Sequence, residues 1–134
     1  MPRESIQMNR NEVLAFLERM HWGALGTLDA SGSPVADVVP CRMERGIDRD
    51  PDGNQLLFAL EPESKSAENI ARDPRVCWSA DEYPSYAEIR GATLHGRARR
   101  QREDGPEKWP GLSVYALEVD DVVSFDFAKI RQSP

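Results

Sequence analysis

Apolar residues first recur at helical spacing, with Val13, Leu14, Phe16, Leu17 and Met20 on one face of the segment from Asn9 to His21. Asn9 followed by Glu12 three residues later has the form of a capping box, and Gly23 is placed to end the helix. The period then changes. Residues 24–28 read as a short strand, 29–33 as a turn and 34–43 as the returning strand. Pro40 lacks the N–H that a ladder needs, so it marks an edge, a bulge or an irregular stretch. Between Glu44 and Asn54 lie Gly46, Asp48, Asp50, Pro51, Asp52 and Gly53, the composition of an exposed loop.

The second half continues in the same manner. Residues 55–60 predict a third strand, and a short helix runs from about Ser66 to Arg72 before Asp73-Pro74 stops it. Residues 75–79 predict a fourth strand, and residues 86–99 a long fifth one with Gly91 marking a bulge or a close approach. Arg100 to Gly111 is a charged loop around Trp109-Pro110. Residues 114–119 make a sixth strand, continued by 122–127 after a turn at Asp120-Asp121. Many short strands with helices at the connections predict a mainly β, six-stranded antiparallel barrel with two or three short helices covering its open ends.

The length of 134 residues predicts a single domain over residues 1–134. A net charge of −6 repels a polyanion, which sets nucleic acid aside as a partner. The basic run Arg97, Arg99, Arg100 and Arg102 reads mainly as a solvated strand end. No apolar run is long enough to span a membrane. The first eight residues lack the apolar core of a signal peptide, so the cytoplasm is the expected compartment. Cys41 and Cys77 sit in apolar runs and read as buried thiols; with only His21 and His95 beside them, no metal site is expected. No nucleophile-and-base arrangement is present, so any chemistry belongs to a cofactor and the catalytic residues are unknown.

Trp22-Gly23-Ala24-Leu25-Gly26-Thr27-Leu28, the turn Asp29-Ala30-Ser31-Gly32-Ser33-Pro34 and the strand end Val38-Val39-Pro40 together resemble the opening hairpin of pyridoxamine-phosphate-oxidase-like split barrels. Ser64-Lys65, followed by Asn69-Ile70-Ala71-Arg72-Asp73-Pro74-Arg75-Val76, is similar to that family's lysine segment, and Ile89-Arg90-Gly91-Ala92 to its long strand. The resemblance implies a split β-barrel that forms a homodimer, with FMN as the usual cofactor and a deazaflavin coenzyme or haem in some relatives. It further implies a flavin-dependent oxidoreductase acting on a small-molecule substrate that the sequence does not identify. The alternatives are a non-catalytic binding module and a degenerate dimeric scaffold. The C-terminal arginine motifs of true vitamin B6 oxidases have no match after Phe125.

By that resemblance the cofactor-binding candidates are Val38, Val39, Pro40, Ser64, Lys65, Ser66, Asn69, Trp78 and Arg90. Ser64, Lys65 and Ser66 offer hydroxyls, charge and a helix start to a phosphate. Val38, Val39 and Pro40 offer backbone groups to the flavin ring, or are plain barrel wall. Trp78 stacks near the ring or fills the core; Asn69 touches ligand or orders its own helix; Arg90 reaches the phosphate or makes a surface ion pair. One departure stands out: the family lysine stands three residues before the asparagine, where this chain has Ser66, and Lys65 stands four before it.

Overall fold

The computed structural model describes residues 6–44, 55–85, 88–101 and 109–132. Helix α1 (Arg10–Arg19) opens the described fold, followed by β1 (Trp22–Leu28), β2 (Pro34–Glu44) and β3 (Gln55–Leu60). Helix α2 (Lys65–Arg72), β4 (Arg75–Ser85), β5 (Glu88–Arg100) and β6 (Ser113–Asp126) follow, and a 3-10 turn (Phe127–Gln132) is the last described element. The six strands close in the order β1-β2-β3-β6-β5-β4, every neighbouring pair antiparallel. This is the barrel that the alternating pattern predicts.

The capping box at Asn9 is formed: its side chain accepts from the Glu12 N–H, and the Glu12 carboxylate accepts from the Asn9 N–H. Helix α1 ends earlier than the sequence suggests, at an extended Met20. Gly23 therefore does not terminate it. This glycine lies inside β1, where a Cβ would stand 2.3 Å from the Trp78 indole. Its small size, not its backbone freedom, is what the fold uses.

Inside the barrel, Leu25, Phe58, Trp78 and Leu94 pack with Phe16 of α1, all of them buried. Strand β3 reads as a continuous apolar run because both of its faces are covered. Leu56, Phe58 and Leu60 face the interior, while Leu57 and Ala59 pack outside with Val114 and Ala116 under Trp109 and Leu112.

Two strand expectations need correction, and the one for Gly91 holds. Strand β4 runs on to Ser85, beyond the limit of 79 that the sequence suggested. Asp120-Asp121 is no turn: β6 passes straight through, and the register with β5 slips between His95 and Gly96. Gly91 is a place of close approach, with Ala80 O and the Phe125 ring 2.9 Å from where its Cβ would be. The expected loop at 45–54, and most of the one after Arg100, fall outside the described residues.

The barrel is unevenly stitched. Strand β2 pairs with β1 over Pro34–Pro40 but with β3 only over Cys41–Glu44, so Pro40 sits where the strand changes partners. Over its first half, the β2 edge away from β1 has no strand partner among the described residues.

Candidate functional site

Alternation along the strands sends one set of side chains into the core and the other out. The register traces an outward row across five strands: Val38 opposite Ala24, Ala24 opposite Ser79, Ser79 opposite Thr93, and Thr93 opposite Val123. No member of this row is charged. Beside it Trp22 faces Pro40, and Gly91 faces Phe125. Trp22 is 60% exposed, Val38 69% and Val123 56%, so the row and its neighbours form one exposed apolar patch rather than scattered apolar residues. A shallow cavity of about 430 Å³ opens on this face, lined by Trp22, Ala24, Val38, Ser79, Thr93 and Phe125 among others.

Two rows further along, the same face turns charged, with Arg75 opposite Arg97 and Arg97 opposite Glu118. Arg75 is held by Asp73 at 2.6 Å, and hydrogen bonds from Arg75 bring that carboxyl down to about 2, so the pair stays ionised across the neutral range. Arg99 takes Glu118 at 3.1 Å.

Helix α2 lies across the far ends of β1 and β2. Ser64 is its N-cap and accepts from the Ala67 N–H at 3.2 Å. Asn69 is completely buried; its amide donates to Thr27 Oγ1 at 3.0 Å and accepts from Arg72, which also donates to Leu28 O. Every polar atom named here has a partner inside the protein. Asn69→Ala is expected to cost about 2 kcal/mol, by leaving Thr27 and Arg72 short of partners; a urea unfolding midpoint reads this directly.

Of the candidate residues, Ser64, Lys65, Ser66 and Asn69 cluster at this α2 end, and Val38 and Pro40 lie on the outer face of β2. Val39 points into the core, as does Trp78, which is fully buried with its indole N–H unpartnered among the described residues. Arg90 is not with the others. It stands opposite Glu82 at the end of β4 remote from α2, 3.6 Å from that carboxylate, which already binds Arg19 at 2.6 Å. Sequence reasoning missed Trp22, Thr93 and Val123, whose only signal was their parity along the strands.

Cys41 is buried, as expected, while Cys77 is half-exposed on the outer side beside Gly26. Burial raises the Cys41 thiol to about 12. Alkylation near pH 8 is expected to leave Cys41 unmodified in the native protein and to reach it only after unfolding.

A larger groove of about 720 Å³ runs between α1 and the upper part of β6, and none of the candidate residues lines it. The outer face of β1, β2, β4 and β5 is thus the place where candidate chemistry and exposed apolar surface meet.

The family model for pyridoxamine 5'-phosphate oxidase matches residues 10–130 of the chain. The chain belongs to this family. Its split barrel resembles the conserved hypothetical protein Rv2991 of Mycobacterium tuberculosis at a TM-score of 0.77 and 21% identity, covering 100% of this chain and 94% of that one. An FAD-binding protein of Mesorhizobium loti matches at a TM-score of 0.71 and 13% identity, over 90% of this chain and 96% of that one. A heme-binding protein of Mycobacterium smegmatis matches at 0.57 and 20%, over 87% of this chain and 56% of that one. Among curated protein sequences none matches the chain.

The pyridoxamine 5'-phosphate oxidase fold implies a flavin, and the two ends of that cofactor fare differently here. A flat ring finds exposed apolar surface at Trp22 and Val38, half-buried Pro40 beside them, and hydrogen-bonding backbone along the free edge of β2. A phosphate finds less. Ser66 is buried and turned toward Asp37, Asn69 is consumed inside the fold, and Lys65 is the one cation of the expected cluster left at the surface.

Proposed function

We propose that this chain is a homodimeric, cytoplasmic flavin-binding oxidoreductase, with two copies meeting over the outer face and enclosing a flavin ring against β2. The observation that carries the reading is the uncharged row from Val38 to Val123 with Trp22 exposed beside it. Such a surface gains by being covered, and covering it with a second copy would turn a shallow cavity into an enclosed one. Membership of a flavin-associated family supports the choice of ring. Val38, Pro40 and Trp22 are the proposed ring contacts, with β2 backbone groups aimed at the ring's polar edge.

The flavin would supply the redox chemistry, and the chain's residues would bind, orient and exclude water. The substrate is a small molecule, admitted where the two copies leave the ring open. Steady-state assay of flavin-loaded protein with NADH or NADPH and an artificial acceptor tests the catalytic half of this reading. Turnover above that of free flavin is the expected result; bleaching without turnover would favour a flavin carrier, and a Soret band in place of flavin bands would favour haem.

A further inference from the structure

A ring held at the free edge of β2 has the start of α2 as its neighbouring helix N-terminus, because Ser66, the second residue of that helix, reaches β2 at Asp37. Helix N-termini favour anions. Here an anion of the chain already stands beside that place: the Asp37 carboxylate accepts from Ser66 Oγ at 3.4 Å, and Ser66 is 1% exposed. Asp37 is fixed to the strand, so an incoming phosphate meets a tethered competitor rather than open donors.

The surroundings add to this. Lys65 lies 3.9 Å from Glu68 and also feels Asp29, while Glu61 and Glu63 stand exposed in the turn just before the cap. Arg72, the other nearby cation, is committed to Leu28 O and Asn69. The Ser64 hydroxyl already serves as the helix cap. A dianionic phosphate placed here would face several carboxylates and a single loosely held ammonium.

We infer that Asp37 is a specificity residue that sets a fixed negative charge beside the start of α2, so that the site prefers riboflavin over FMN. This rests on the proposed flavin site, and it departs from the FMN expected by resemblance. Riboflavin's terminal 5′-hydroxyl can donate to Asp37, whereas the dianionic phosphate that replaces it in FMN has no proton to donate and is repelled. One unit charge at such a distance near a protein surface changes affinity by roughly tenfold or more.

The test titrates riboflavin and FMN separately into the full chain and into Asp37→Asn, at a pH where the phosphate is doubly charged, following flavin fluorescence. The wild type is expected to bind riboflavin at least about tenfold tighter than FMN. Asp37→Asn should bring the two within roughly threefold by improving FMN alone. Raising salt from about 0.01 to about 1 M should narrow the wild-type gap without any substitution, since the screening length falls from ~30 to ~3 Å. FMN binding as tight as riboflavin in the wild type, or a gap unmoved by both Asp37→Asn and salt, overturns the inference and leaves the flavin site standing. Binding of neither flavin by either protein overturns both.

Discussion

Gly96→Ala is expected to destabilise the protein by about 3 kcal/mol or more, lowering its thermal midpoint by roughly 10 °C. A Cβ at this position would stand 1.9 Å from Glu118 O and 3.0 Å from Val119 Cα. Both obstacles are backbone, so no side-chain rotation relieves them. They belong to the strand that slips register at this point, where His95 pairs with Asp121 and Gly96 with Val119. To admit a methyl group, β5 and β6 must separate across the longest ladder of the barrel. Gly32→Ala is the matched control: its φ of +84° disfavours a side chain, yet nothing lies within 4 Å. That change should cost only about 1 kcal/mol, so a similar loss at both positions would refute the steric account.

Val38→Asp, alone or with Trp22→Glu, is expected to convert the proposed dimer to monomer and to lower flavin affinity at least about a hundredfold. Both side chains are well exposed in the single chain, so neither substitution removes core packing and thermal stability of the monomer should change little. The charge would instead be desolvated at the centre of the proposed interface, opposite Ala24 and next to the cavity. A monomer that still holds flavin tightly would place the site within one chain. A dimer that persists would place the interface elsewhere, with the larger groove between α1 and β6 as the next surface to test.

Much of the architecture was legible because local chemistry and tertiary packing agree. The Asn9–Glu12 capping box, the Ser64 cap ahead of α2 and the limits of β3 follow from residues within a few positions of one another. Where they disagree, the sequence misleads. Gly23 looked like a helix terminator because glycine commonly ends helices, but its role is set by Trp78, over fifty residues away. Asp120-Asp121 has turn composition, yet β5 holds it in the ladder at the cost of a register slip. Gly91 was recognised as a special position, while Gly96, the tighter of the two, carried no separate local signal.

The site was less legible than the fold, for a related reason. The polar residues chosen near Asn69 lie together on α2 and its cap, but whether a hydroxyl or amide faces outward depends on contacts such as Asn69 with Thr27, which join residues 42 positions apart. Trp78 and Trp22 are alike in composition and opposite in placement: one is fully buried and the other mostly exposed. Strand alternation separates them only once the register of β1 against β2 and β4 is known. Asp37 has no local mark at all, and its meaning comes from Ser66 across the fold.

The most direct test of the central claim is the visible spectrum of the purified protein, incubated with riboflavin or FMN and then passed through gel filtration with its size recorded. The account predicts flavin bands co-eluting with a dimer at about one flavin per chain, riboflavin retained more fully than FMN. A colourless dimer or monomer after both incubations would contradict it.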